Sequence, residues 1–213
     1  MVTGLTPPAN ACVLFNGVDV SNWTRRDGSP AGWLAEDGVL KVVPGQGDIM
    51  SVETFLDCYL HLEFRLPDMP DKTGQAKANS GVFLAGRYEI QVLDSFGWAV
   101  PGKGDCGAIY NQFAPLTNAN RKPLEWQTYD VAFRAARLDA SGNVHDRVRL
   151  TVFHNGVCIQ NNIELPGVTG APLDVREGVA GPLLLQDHGD LVQYRNVWIV
   201  PLARDGSPEY GPR

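Results

Sequence analysis

The residues of this chain that could do chemistry fall on two strand-like stretches and one strand end. The first is Arg87-Tyr88-Glu89-Ile90-Gln91-Val92-Leu93-Asp94-Ser95. Side chains alternate across a strand, so Tyr88, Ile90 and Val92 share one face and Arg87, Glu89 and Gln91 the other. The first face suits a core. The second sets a cation, a carboxylate and an amide in a row, which suits either a binding floor or a salt-bridged outer face. The second stretch, Asp57 to Leu66, repeats the pattern: Leu60, Leu62, Phe64 and Leu66 on one face, His61, Glu63 and Arg65 on the other. The third is Gln186-Asp187-His188-Gly189, which closes the apolar run Pro182 to Leu185. A histidine at a strand end can reach a bound ligand, and an imidazole, with an unperturbed pKa of about 6.5, suits proton transfer near neutrality. On a curved sheet, Glu63 and Arg65 would lie beside Glu89 and Gln91 in one hollow, with His188 at its rim. His61 is a second candidate base. His145 reads as solvated, and His154 as a cross-strand surface residue.

The elements that must position these groups are strands. Trp33 to Val42 reads as a hairpin around Asp37-Gly38, and Arg147 to Glu164 as another around Asn155-Gly156, both pairs supplying the positive φ of a type I′ turn. Asn79 to Leu84 turns through Ala85-Gly86 into the Glu89 stretch, and Trp126 to Arg134 and Leu191 to Leu202 alternate as further strands. About ten to twelve short strands with Gly/Pro turns and no sustained helical period predict an all-β sandwich or jelly roll. Phe96 to Asn120 is long, rich in Gly and Pro, and holds Trp98, Asp105, Tyr110, Asn111 and Gln112. Those side chains suit sugar hydroxyls and ring faces; the structural alternative is a wrap over a sheet edge.

Composition narrows the function classes. The chain has 213 residues and a net charge of −6 without charge runs, which argues against nucleic acid or an anionic membrane as partner. One sandwich domain spanning 1–213, with its core over about 13–202 and a loose tail from Arg204, accommodates this length. No apolar run approaches the roughly 18 residues of a membrane span, and Met1 to Asn10 lacks the pattern of a signal peptide. The four cysteines, Cys12, Cys58, Cys106 and Cys158, form no C-x-x-C and read as free thiols. There is no nucleophile elbow, and Gly102-Lys103-Gly104 is a Gly-rich loop without a nucleotide fingerprint.

Several short blocks occur in order: Phe15-Asn16-Gly17 with Asn22-Trp23, Asn79-Ser80-Gly81, Tyr88 to Asp94, Gly107-Ala108-Ile109-Tyr110, Glu125 to Tyr129, Asn155-Gly156 and Leu185 to Gly189. Together they resemble the 3-keto-disaccharide hydrolase family across Phe15 to Leu202. The resemblance implies a two-sheet, concanavalin-like jelly roll and a 3-keto-glycoside substrate. It further implies an exported protein and a partner oxidoreductase that makes and removes the ketone, so that no nicotinamide site is needed here. The implied roles fall on His188 and Glu89 as the proton-transfer pair and on Arg65 or a bound divalent cation as enolate stabiliser. Glu63, Asn79, Gln91, Asp94, Trp98 and Gln186 would contact substrate. Two alternatives stay open. Glu89-Ile90-Gln91-Val92-Leu93-Asp94 is similar to the carboxylate strand of laminarinase-type retaining glycosidases, with Glu89 and Asp94 as the pair. A carbohydrate-binding module without catalysis would need only the aromatics and amides.

Overall fold

The computed structural model describes residues 4–203. Fifteen strands follow one another: β1 (Cys12–Phe15), β2 (Trp23–Arg25), β3 (Leu34–Glu36), β4 (Val39–Lys41), β5 (Ile49–Phe55), β6 (Cys58–Arg65), β7 (Ser80–Leu84), β8 (Tyr88–Val92), β9 (Trp126–Arg134), β10 (Arg137–Leu138), β11 (Val144–Asp146), β12 (Arg149–His154), β13 (Val157–Glu164), β14 (Gly181–Leu185) and β15 (Gln193–Pro201). One 3₁₀ turn, Gly74–Ala76, precedes β7. Among the described residues no helix is long and apolar enough to cross a membrane.

The strands form two antiparallel sheets, a concanavalin-like jelly roll. The larger runs β13-β12-β9-β6-β15-β4-β3, with β1 also on β15; the smaller runs β2-β5-β14-β7-β8; β10 and β11 make a separate ribbon. The turns obey their sequences. Asp37 and Gly38 take φ of 54° and 75°, and Asn155 and Gly156 take 52° and 79°, the left-handed pairs that join tight hairpins. The inward residues of the two sheets meet in one core: Leu60, Leu62, Phe64, Tyr129, Val131 and Val152 from the large sheet, and Val82, Leu84, Ile90, Val92, Leu183 and Leu185 from the small one.

His154 belongs to that core, not to the surface. Leu150 and Val152 set the inward phase of β12, and His154 continues it, pairing with Tyr129. It lies edge-on to Tyr129 at 4.9 Å between centroids, 2.9 Å from the Gln127 amide oxygen, and burial, with a smaller push from Arg121, lowers its pKa to about 3. All four cysteines are free.

The expected single hollow splits in two. β6 stands in the large sheet and β8 in the small one, so faces turned away from the common core point in opposite directions. Glu63 and Arg65 therefore lie on the far side of the sandwich from Glu89 and Gln91. Both strands show the same alternation, but alternation states only which residues face away from the core, not which sheet carries them.

Two buried tyrosines tie the sheets together. Tyr129 Oη on β9 donates to the Gln91 carbonyl on β8 (2.7 Å). Tyr194 Oη on β15 lies 2.7 Å from Ser80 Oγ on β7, which itself donates to the Gln186 carbonyl at 2.6 Å. Tyr194→Phe keeps the ring and removes the inter-sheet bond. It is expected to lower the unfolding free energy by about 1–2 kcal/mol in urea titration, with the same far-UV circular dichroism.

Candidate functional site

The β7–β8 hairpin builds the floor of a pocket on the outer face of the small sheet. Glu89 pairs with Phe83, and Gln91 with Gly81. The Glu89 backbone is held from outside the sheet: its N–H donates to Thr169 Oγ1 (2.9 Å), and its carbonyl accepts from the Tyr110 N–H (3.2 Å). A Cβ at Gly81 would stand 2.6 Å from Glu89 Oε1 and 2.8 Å from the Phe83 ring. Glycine there is what leaves the carboxyl its place. Among the described residues no hydrogen-bond donor reaches that carboxyl. It sits on apolar surface, and burial first, then the charge of Asp48, pushes its pKa up to about 8.

The amides beside it form a chain. Gln91 Nε2 donates to Asn79 Oδ1 (2.9 Å), and Asn79 Nδ2 donates to the Gln75 carbonyl (2.7 Å). Gln186 differs. Its backbone N–H extends the sheet onto the Gly81 carbonyl (3.0 Å), but its side-chain Oε1 is buried with no hydrogen-bond partner among the described residues.

His188 follows on the loop after β14, and a latch holds that loop in place. Asp48 Oδ1 accepts the Asp187 N–H (2.9 Å), and Asp187 Oδ2 accepts the Gly47 N–H (2.9 Å). Arg26 pairs with Asp48 at 2.7 Å and donates to the carbonyls of Ala171 and Pro172. Three loops are thereby tied around one opening. Asp187, beside the histidine in sequence, serves the loop and not the pocket.

The resulting cavity has a volume of about 200 Å³ and is lined by Gln75, Asn79, Glu89, Gln91, Tyr110, Gly170, Ala171, Gln186 and His188. It brings together five of the residues singled out in the sequence: Asn79, Glu89, Gln91, Gln186 and His188. Four lie elsewhere. Glu63 binds Arg195 (2.7 Å), and Arg65 binds Gln193 (2.9 Å from Nε) while lying over the Trp126 ring at 4.8 Å, all on the opposite face. Asp94 pairs with Lys77 (2.9 Å) and accepts the Phe96 N–H. Trp98 is half-exposed on the loop after β8 and is not part of the lining.

Sequence reasoning passed over Gln75, Gly170, Ala171 and Asp48 as site residues. They arrive on a 3₁₀ turn (Gln75) and on loops, without a period to read; Tyr110 alone stood in a segment already marked for sugar contact. For a divalent cation the donor set is short. The lining offers only Glu89 and His188 of the usual charged and imidazole ligands, and among the described residues no three His, Cys, Asp or Glu side chains gather to hold a metal ion.

Fold and pocket together define a concanavalin-like jelly roll with a small pocket lined largely by polar side chains. The chain belongs to the family of 3-keto-alpha-glucoside-1,2-lyase-like domains, whose model matches residues 10–200. It is 39% identical to a candidate glycosyl hydrolase from Parabacteroides distasonis, over 92% of this chain and 85% of that one, with a TM-score of 0.84. A second candidate glycosyl hydrolase from the same organism shares 20% identity over 91% and 94% of the chains, with a TM-score of 0.70. The alginate lyase Aly36B shares the fold at 9% identity, over 94% of this chain and 100% of that one, with a TM-score of 0.51. No curated protein matches the sequence.

The perturbed carboxyl carries a stability signature. An unfolded glutamic acid titrates near 4.3, and Glu89 in the fold near 8. Between these values the folded state holds the extra proton, so this group's contribution is fully present below about pH 4.3 and is lost as pH rises through about 8. Glu89→Gln removes the titration. Its melting temperature relative to wild type is expected to rise steadily from pH 4.5 to 8, as read by differential scanning calorimetry.

Proposed function

We propose that this protein cleaves 3-keto-glycosides by elimination and hydration, with Glu89 and His188 moving the protons. The observation that carries this reading is a protonatable carboxyl and an imidazole on the same small pocket, in a chain of the 3-keto-alpha-glucoside-1,2-lyase-like family. A ketone at sugar carbon 3 acidifies the proton on carbon 2. His188 takes that proton, and the enolate electrons return to form the C1=C2 double bond while the C1–O bond breaks. Glu89, which burial keeps protonated at neutral pH, gives its proton to the departing oxygen. Water then adds to carbon 1 of the enone and carbon 2 regains a proton, for a redox-neutral hydrolysis. Negative charge on the ketone oxygen during the first step needs a donor. Arg65 stands on the other sheet, so the donor within the pocket is the Gln186 side-chain amide N–H (Nε2), which donates to no group among the described residues.

The substrate side of the proposal rests on chemistry too. The Asn79, Gln91 and Gln75 amides suit sugar hydroxyls, and the Tyr110 ring offers an apolar wall to a pyranose face. The ketone has to be installed by a separate oxidoreductase, which the proposal requires as a functional partner.

The test offers the protein a 3-keto-glycoside and, separately, its unoxidised parent. Aglycone is expected only from the oxidised sugar, with transient enone absorbance and solvent deuterium entering carbon 2. Glu89→Gln and His188→Ala are each expected to lower kcat/KM by about 100-fold or more. Rate on the ketone is expected to fall above about pH 8 as Glu89 loses its proton. Cleavage of the parent sugar would point instead to an ordinary glycosidase, although Asp94, the second carboxylate such a mechanism would use, is held by Lys77 outside the pocket lining. Binding of either sugar without turnover would leave a carbohydrate-binding module.

A further inference from the structure

The polar face of β6 remains unused by this chemistry, and it leads to a second cavity. Across four neighbouring strands of the large sheet runs one row: Phe153 on β12, Asp130 on β9, His61 on β6 and Trp198 on β15, each opposite the next. All lie on the outer face. His61 is nevertheless fully buried, stacked on Trp198 at 5.0 Å. Its Nδ1 donates to Asp130 Oδ1 (2.6 Å), which also accepts the Tyr59 hydroxyl (3.0 Å), and its Nε2 accepts from Asn196 Nδ2 (3.2 Å).

This arrangement fixes the Asp130 carboxylate from beneath. An aspartate on a solvated strand face usually turns freely. Here one oxygen is held by two donors, while Oδ2 has no partner among the described residues and the side chain keeps 15% of its surface open. A cavity of about 420 Å³ lies over it, twice the volume of the Glu89 pocket. Arg121 lines the same cavity. It donates to the Trp126 carbonyl (3.0 Å) and makes no ion pair with Asp130 or any other carboxylate of the described residues. Phe153, 39% exposed, adds an aromatic ring beside them.

A merely salt-bridged face would pair its charges with one another, as Glu63 and Arg195 do one row away. The cavity lining instead combines an oriented acceptor, a guanidinium bonded, among the described residues, only to a backbone carbonyl and a part-exposed ring. That set matches a sugar: vicinal hydroxyls bridge a carboxylate and a guanidinium, and the C–H face of a pyranose covers an aromatic ring. A pre-oriented carboxylate loses little freedom on binding.

We propose that the outer face of the large sheet is a second, non-catalytic saccharide site, built from Phe153, Asp130 and Arg121, which holds a neutral glycan chain on the side of the sandwich opposite the Glu89 pocket. Binding there is independent of the keto-sugar reaction, so either can fail alone.

Affinity electrophoresis of the full chain in native gels containing dextran, laminarin or xylan tests this. Wild type is expected to be retarded by at least one polymer. Phe153→Ala and Asp130→Asn are expected to weaken that retardation about tenfold or more, and Glu89→Gln to leave it unchanged. Phe153 makes no side-chain hydrogen bond, so its variant decides the matter should Asp130→Asn lower the melting temperature. Wild type unaffected by all three polymers, retardation retained by Phe153→Ala, or retardation lost in Glu89→Gln would each overturn the proposal.

Discussion

The site depends on one constraint: a carboxyl group buried on the outside of a sheet with no donor to meet it among the described residues. Such a group is costly as an anion, and the fold accepts the cost by leaving it protonated. Gly81 makes the space, Phe83 supplies the apolar floor, and Asp48 adds a like charge. Nothing in the interior of the sandwich requires this. The core on the other face of β8 would pack as well against a strand with any polar residue at position 89. The placement lowers stability above the titration range of an ordinary glutamate, and perturbed carboxyls of this kind cluster at functional sites.

Keeping that carboxyl covered requires loops, and keeping loops in place requires polar ties. Arg87 and Asp174, at 2.7 Å, fasten the segment after β13 to the start of β8. Thr169 then reaches the Glu89 N–H, and Arg26 joins Asp48 to the carbonyls of Ala171 and Pro172. The same Asp48 that adds charge near Glu89 also holds the loop of His188 through the Asp187 N–H. Protonation and geometry are linked through one side chain, so its substitution alters both at once.

The two outer faces divide the polar residues of the chain between them. The small sheet carries a confined pocket with amides and an acid; the large sheet carries an open face with an oriented carboxylate and aromatic rings. A jelly roll permits this because its core needs only one face of each sheet. Hydrogen bonds between the sheets, from Tyr194 to Ser80 and from Tyr129 to the Gln91 carbonyl, pass from the large sheet to the backbone that bears the pocket.

Much of this was legible in the order of residues. Alternation marked Tyr88, Ile90 and Val92 as inward and Glu89 and Gln91 as outward, because the pleat allows no other phase. Asp37-Gly38 and Asn155-Gly156 placed two hairpins, because few other pairs enter the left-handed region so readily. The blocks around Asn79, Glu89 and His188 marked the groups that share the pocket. What tertiary structure alone decided was the partner of each face. Glu63 and Arg65 repeat the pattern of Glu89 and Gln91 yet belong to the other sheet, since strand order is set by pairing between residues far apart in the chain. The inward place of His154 was legible from its phase after Leu150 and Val152, although its polar side chain beside the Asn155-Gly156 turn reads as surface. Gln75, on a 3₁₀ turn, and Ala171, on a loop, line the pocket, while Asp48 ties the neighbouring loops by hydrogen bonds between residues far apart in the chain, and no period along the chain encodes a meeting of that kind.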